Sequence, residues 1–265
     1  MQRIRPAAVA GSFYPGDAKA LAQELRVLMG AVLPDTIASL PKAIIAPHGG
    51  YTYSGTVAAS AYTLITPARA KIKRVVIVGP AHRVAVRGLA LPGVDAFTSP
   101  LGNVAIDQAS VDTLRRLPQV IESVDAHAYE HSLEVQLPFL QSVLDDFLLV
   151  PLAVGNATPE EVAQAMEAVW GGDETLIVVS SDLTHYLKYE QAQAIDSATV
   201  NRILNFQGPI SPYEACGCMP INGLLVAAKR RGLVPRLLDL CNSGDTAGSR
   251  DRVVGYAAFA FDKNT

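Results

Sequence analysis

The hydrophobic pattern alternates between short, continuous apolar runs and longer segments with apolar residues at helical spacing. The clearest run covers residues 74–79, Arg-Val-Val-Ile-Val-Gly. Continuous β-branched runs of this length are typical of strands buried on both faces of a parallel sheet. Further strands of this kind are predicted at 42–46, 147–154 and 175–179. Helices are predicted at 17–33, 56–64, 107–117, 133–144, 158–169, 190–206, from 211 onward, and 221–231.

Strands that alternate with helices predict an α/β protein. Residues 83–105 are broken by Pro-Gly and Pro-Leu-Gly and predict a hairpin outside the main sheet, and strands at 235–240 and 253–261 close the chain. No repeat or composition break divides the sequence. We therefore expect one domain over 1–265, with a mixed, mostly parallel central sheet flanked by helices.

Composition narrows the classes of partner. The 265 residues are 49% hydrophobic and 18% charged, with a net charge of −3 and no stripe of Lys and Arg. This charge pattern predicts binding neither to nucleic acid nor to an anionic membrane. No apolar run approaches the roughly 18 residues of a membrane-spanning helix, and no signal peptide is recognised. Three cysteines suit a reducing compartment, so we expect a cytoplasmic protein.

Four predicted strands end in residues that can bind metals or transfer protons. His48 and His82 each follow a strand and a proline, Asp182 and His185 follow the strand at 175–179, and Cys241 follows the strand at 235–240. Ligands of open α/β sheets bind outside the carboxyl ends of the strands. The sequence therefore predicts a site at this edge of the sheet.

The residue types at these strand ends suit a transition metal. Imidazole and thiolate favour zinc, iron or copper over magnesium or calcium, which prefer oxygen ligands. Two histidines, one cysteine and a nearby carboxylate would leave an open position for water, oxygen or substrate.

The segment from His127 to His131 allows three interpretations. His-Ala-Tyr-Glu-His fits the His-x-x-Glu-His pattern of inverted zinc peptidases. It also fits a polar cluster that caps a helix, and Glu130 and His131 could support the main site or face its substrate. The sequence leaves these alternatives open.

Other motifs are weaker. Ser180 and Ser181 lie near an Asp and a His but without a nucleophile elbow, which argues against a hydrolase triad. Cys216-Gly-Cys218 is too closely spaced for a standard Cys-x-x-Cys site and fits a turn before a helix. The glycines form no phosphate-binding fingerprint.

Six ordered motifs together resemble one known family. They are Ala-Gly-Ser-Phe-Tyr-Pro at 10–15, Ala-Pro-His-Gly-Gly-Tyr-x-Tyr-Ser-Gly at 46–55, Gly-Pro-Ala-His at 79–82, Glu-His-Ser-Leu-Glu at 130–134, Ser-Ser-Asp-Leu-x-His at 180–185 and Cys-Asn-Ser-Gly-Asp at 241–245. The series resembles the Memo family, whose prokaryotic members are called AmmeMemoRadiSam system protein B.

This resemblance implies a fold like that of class III extradiol (LigB-type) dioxygenases, which are non-haem iron enzymes. The implied metal ligands are His48, His82 and Cys241. The implied acid–base group is His185, with Asp182 beside it. The implied substrate-facing residues are Phe13, Tyr53, Glu130 and His131. His127 falls outside the shared motif, which weakens the peptidase interpretation.

A thiolate in place of the dioxygenases' carboxylate ligand means that ring cleavage does not carry over with the fold. We therefore expect a metal-dependent redox enzyme of unspecified reaction, with Fe(II) first and copper or zinc as alternatives. The second hypothesis is a module that binds a small molecule, a peptide or a phosphorylated segment in the same crevice without catalysis. The family name further suggests a pathway association with a radical-SAM protein and an AMMECR1-like protein.

Overall fold

The computed structural model describes residues 2–32 and 40–263, and within these ranges it contains twelve strands and eight helices. The strands are β1 (Ile4–Arg5), β2 (Ala43–Ala46), β3 (Arg74–Pro80), β4 (Leu89–Leu91), β5 (Ala96–Ser99), β6 (Gly102–Ala105), β7 (Val120–Glu122), β8 (Leu148–Val154), β9 (Thr175–Ser180), β10 (His185–Leu187), β11 (Leu233–Asn242) and β12 (Val253–Lys263). The helices are α1 (Ala18–Gly30), α2 (Tyr51–Thr63), α3 (Gln108–Leu114), α4 (Val124–Ala128), α5 (Leu137–Val143), α6 (Pro159–Ala168), α7 (Tyr189–Leu204) and α8 (Cys218–Arg230).

The main sheet has nine strands and a parallel centre. Its order is β10-β12-β2-β9-β3-β8-β4-β7, and β11 pairs with residues 255–263 of β12. Strands β2, β9, β3 and β8 run parallel to one another, whereas β12 is antiparallel to β2 and β4 is antiparallel to β8. The predicted α/β class with a mixed sheet flanked by helices is confirmed.

The central strands are buried because their side chains are apolar on both faces. Every residue of β2 and β9 is buried, and in β3 only Arg74 is partly exposed. Helices on both faces remove these side chains from water, which is the dominant favourable contribution to folding.

Several helices and strands begin or end at residues other than those predicted. Helix α2 begins at Tyr51 rather than 56, directly after the glycines that follow His48. The segment from 211 forms turns, and the helix after it begins at Cys218. Leu33, the predicted end of the first helix, lies outside the described residues. The predicted hairpin is β5-β6, which pairs with β1 in a separate three-stranded sheet, whereas β4 joins the main sheet.

Three helices begin at side-chain caps, which Asp17, Asp107 and Thr158 provide. The side chains of Asp17 and Asp107 accept backbone N–H groups at the first turns of α1 and α3. Thr158 and Glu161 form a complete capping box at the start of α6. Such caps satisfy N–H groups that have no partner within the helix. In the described part of the chain, no helix is long and apolar enough to cross a membrane.

Because the carboxyl of Asp196 is buried, we expect an unusual dependence of the free energy of unfolding on pH. This carboxyl of α7 is 2% exposed and its Oδ1 accepts the Thr184 N–H at 3.0 Å. Burial raises its pKa from 3.8 to about 6. The folded state therefore favours the protonated acid, and the resulting stability is present below about pH 4 and lost as the pH rises through about 6.

We expect Asp196→Asn to remove the loss of stability at higher pH, because the amide carries no charge to desolvate. The free energy of unfolding at pH 8 should then exceed that of the wild type by about 2 kcal/mol, with a smaller difference at pH 4. Denaturant unfolding at both pH values measures it. If the variant and the wild type differed in free energy of unfolding by the same amount at pH 4 and pH 8, the raised pKa of Asp196 would be contradicted.

Candidate metal centre

Three imidazoles meet at the carboxyl edge of the parallel centre. His48 follows β2, His82 follows β3, and His131 lies in the segment between α4 and α5. One ligand atom from each ring lies within 4.8 Å of the others, and no other group of three or more His, Cys, Asp or Glu in the described residues is this close. The ring centroids are 4.8 to 5.3 Å apart. Strand ends therefore supply two of the rings, and a loop supplies the third.

The hydrogen bonds of Ser180 fix the tautomer of His48. The Ser180 hydroxyl donates to the Ser132 carbonyl at 2.6 Å and accepts from Nε2 of the Gln136 amide at 2.8 Å. Its single hydrogen is thus committed, so Nδ1 of His48, 2.9 Å away, must be the donor in that contact. Nε2 of His48 is left with a lone pair.

His48 is also held neutral. The side chain is 1% exposed, and burial, together with the neighbouring His82 and His131 rings, lowers its pKa well below 6.5. A neutral imidazole with a free Nε2 is the form that binds a metal ion.

Glu130 fixes His82 in the same way. Its Oε1 lies 2.9 Å from Nδ1 of His82, and its Oε2 accepts the His82 backbone N–H at 2.6 Å. Burial alone would raise the pKa of Glu130, but hydrogen bonds from His82 and Ser132 outweigh it and lower the pKa to about 2. The ionised carboxylate only accepts, so Nδ1 of His82 donates, and in the neutral ring the lone pair is on Nε2.

His131 packs beside these rings with less support. It stacks on His82 and contacts the ring of Phe13, with centroids 4.8 Å apart in both pairs. Its Nδ1 lies 3.4 Å from Oε1 of Glu130, and within the described residues it is buried without a hydrogen-bond partner. Burial lowers its pKa below 6.5. The residue expected to face substrate thus lies among the imidazoles.

The sulfur that approaches His48 belongs to Cys216. Its Sγ lies 3.2 Å from Nε2 of His48. The loop can come this close because Gly217 has no side chain: a Cβ there would lie 2.7 Å from the Ser180 carbonyl oxygen. The Gly217 N–H donates to the Ser181 hydroxyl at 2.9 Å. Burial and the neighbouring Asp182 raise the pKa of the Cys216 thiol, so it is protonated in the metal-free protein.

The structure does not bring Cys241 to this cluster. Cys241 ends β11 opposite Tyr256 of β12, and β12 lies between β11 and β2. Two strand spacings, about 10 Å, therefore separate the lines of β11 and β2. The ligand role predicted for Cys241 stays a prediction, whereas the sulfur in contact with His48 in this structure is that of Cys216.

Asp182 and His185 flank the imidazoles. Oδ1 of Asp182 accepts the backbone N–H groups of His48 at 2.7 Å and Gly49 at 3.2 Å, and burial raises the pKa of this carboxyl. Nδ1 of His185 donates to the Leu183 carbonyl at 2.9 Å, so in the neutral ring Nε2 is the acceptor. Asp182 thus shapes the His48 loop, while His185 offers a base.

A cleft of about 380 Å³ gives access to this centre. Its lining residues are His82, His185, Leu187, Pro212, Tyr213 and Cys216. Phe13 covers His131 from the N-terminal segment, where its carbonyl accepts the Tyr51 N–H at 2.8 Å. Tyr53 is 40% exposed in the first turn of α2.

His127 belongs to a different environment. Nε2 of its ring donates to the Ala90 carbonyl at 2.8 Å, and its ring lies against Phe97. It shares no helical face with His131, because α4 ends at Ala128. The helix that would carry both histidines of a zinc-peptidase motif on one face is therefore absent from this described segment.

Comparison with known proteins shows the family of this chain. A family model described as Memo-like protein matches residues 5–260. A MEMO1 family protein of Archaeoglobus fulgidus is 34% identical over 277 residues, which cover 97% of this chain and 99% of the relative. A MEMO1 family protein of Aquifex aeolicus is 34% identical over 274 residues, covering 98% and 99%. The chain therefore belongs to the Memo family.

A solved structure shares the fold at lower similarity. It is the crystal structure of an uncharacterized protein, JW3007, from Escherichia coli K12, with a TM-score of 0.52 and 16% identity. The match covers 82% of this chain and 98% of that chain. At this identity the likeness extends to the α/β fold alone.

We expect Glu130→Gln to weaken binding of Zn²⁺, used as a probe, by 10- to 100-fold, because a neutral amide no longer fixes the His82 tautomer. Competition against a chromogenic chelator measures the affinity. Glu122→Gln, at an exposed carboxylate paired with Arg115, serves as control and should bind as the wild type does. Equal affinity in the Glu130 and Glu122 variants would contradict the role of Glu130.

Proposed function

We propose that the protein is a metal-dependent redox enzyme whose ion is held by His48, His82 and His131, with the Cys216 sulfur beside His48 as a further donor. The observation that carries the proposal is that hydrogen bonds occupy Nδ1 in both His48 and His82, while Nε2 of His48 lies 3.2 Å from a thiol sulfur. Hydrogen bonds at both Nδ1 atoms are the usual support of metal-binding histidines.

The donor set fits a transition metal. Mixed imidazole and thiolate ligands suit Fe(II), copper and zinc, and Fe(II) is our first choice. The Cys216 thiol would lose its proton on binding, since the ligand is the thiolate. When bound, a redox-active ion would supply electron transfer to or from a small substrate.

The residues of the cleft supply the remaining chemistry. His185 lines the same cleft as His82 and Cys216, and its Nδ1 is bonded to the Leu183 carbonyl, so in the neutral ring Nε2 would accept a proton from a bound substrate. Asp182 holds the His48 loop through two backbone N–H groups. Phe13 and Tyr53 are the proposed substrate contacts at the rim.

A binding module is the second candidate. The cleft is wide and its outer wall is apolar and aromatic, with Leu187, Pro212 and Tyr213, the last 76% exposed. Such a wall would accept a peptide side chain without any reaction. Equal ligand binding by metal-free and metal-loaded protein would favour this candidate, whereas strictly metal-dependent turnover would exclude it.

The cellular setting follows from the family resemblance and the cysteines. Three free cysteines suit the reducing cytoplasm. The resemblance further suggests that the protein acts in one pathway with a radical-SAM protein and an AMMECR1-like protein.

We expect Cys216→Ser and Cys241→Ser to separate the two candidate sulfur ligands. Cys216→Ser should lower Fe(II) and Zn²⁺ affinity at least tenfold, because a neutral hydroxyl replaces a thiolate, whereas Cys241→Ser should bind as the wild type does. Elemental analysis of anaerobically purified protein and chelator competition measure this. Loss of metal only in the Cys241 variant would restore the sequence-based assignment.

A second pair of variants separates ligands from the proposed base. His48→Ala should abolish stoichiometric metal binding, since it removes a ligand atom. His185→Gln should retain the metal, because Nε2 of His185 acts on substrate. Elemental analysis of both variants measures this. Wild-type protein that binds no metal from added Fe(II), copper or Zn²⁺ would refute the proposed function.

A further inference from the structure

The segment that carries Glu130 and His131 has little regular structure of its own. Helix α4 ends at Ala128, Glu130 and His131 lie outside any helix or strand, and a 3₁₀ turn begins at Glu134. Yet Glu130 must be placed accurately, because its carboxylate orients His82. Contacts from outside the segment must therefore hold it.

Arg5 supplies these contacts from the N-terminal strand. The residue is 4% exposed. Its Nε donates to the His127 carbonyl and its Nη2 donates to the Glu130 carbonyl, both at 2.6 Å. Its Nη1 donates to Oε2 of Glu134 at 2.6 Å. One planar guanidinium thus contacts the segment at three points.

Glu134 balances the charge of Arg5 and extends the network. Its side chain is fully buried and also accepts the N–H groups of Ala8 at 2.7 Å and Val9 at 2.9 Å. The Tyr14 hydroxyl donates to its Oε1 at 2.6 Å. The network therefore joins the segment of Glu130 to the N-terminal segment that carries Phe13.

We infer that Arg5 is a positioning residue of the metal centre. It acts through the main chain of Glu130, whose carboxylate then fixes the tautomer of His82. The inference rests on the proposed function, since it names a residue that supports the same site. A lysine would keep the charge but could not reproduce three donors in one plane.

Metal affinity tests this role. Arg5→Lys should weaken Zn²⁺ binding about tenfold, the lower end of the effect of partners that orient metal ligands. Arg74→Lys is the matched control, because Arg74 pairs with the buried Asp107 at the opposite end of the strand that leads to His82. The control should lose stability in denaturant unfolding and keep its affinity within twofold.

A second measurement does not depend on metal. Long-range ¹H–¹⁵N spectra of the metal-free protein at neutral pH report which nitrogen of His82 carries the proton. The wild type should show only the Nδ1–H form, whereas Arg5→Lys should show both tautomers. Arg74→Lys should match the wild type. If the wild type bound no metal, the proposed function would fail, while this spectrum would still decide the role of Arg5.

The inference is overturned if Arg5→Lys retains the wild-type tautomer of His82, or if its Zn²⁺ affinity equals that of Arg74→Lys. Should Arg5→Lys not fold, Tyr14→Phe removes one hydrogen bond of the same network and leaves both charges in place. It should reduce Zn²⁺ affinity about threefold and introduce the second tautomer of His82. Wild-type values in both measurements would then overturn the inference.

Discussion

The chemistry of the site depends on hydrogen bonds that occupy the Nδ1 atoms of its imidazoles. Ser180 accepts from His48, the Glu130 carboxylate accepts from His82, and the Leu183 carbonyl accepts from His185. In the neutral form of each ring the other nitrogen then carries the lone pair. Without these partners the same histidines would sample two tautomers, and the cluster would be a set of buried polar rings with no defined acceptor. The surrounding fold serves largely to keep these three acceptors in place.

The sequence was most informative about the parts of the site that lie directly after strands. The apolar runs predicted the central strands, and parallel strands bring their carboxyl ends to one edge, so His48, His82 and the Asp182 loop were expected to meet. The antiparallel pairing of β11 with β12 could not be anticipated from local pattern. That pairing places β12 between Cys241 and His48, although β11 and β2 point the same way. The sequence therefore pointed to the cysteine after a strand, Cys241, while the sulfur in contact with His48 is that of Cys216.

Two further residues show why the site was only partly predictable. Cys216 reaches His48 from the turn before α8, and this depends on the close approach of Gly217 to β9, a contact between positions far apart in the chain. The available signal was a cysteine and a glycine at a helix start, which is common in turns. His131 joins the cluster from a segment without regular structure, where periodicity carries no information. Membership of the Memo family agrees with the fold, whereas the reaction has to be read from the site.

The hydroxyl of Ser180 has a consequence for the thermodynamics of ligand capture. Its hydrogen bonds to Ser132, Gln136 and His48 restrict the ring of His48 to one orientation before any ligand arrives. The loss of rotational entropy at this ring is thus borne when the chain folds and does not recur on binding. A centre prepared in this way can release its ligand and take up another without refolding its surroundings.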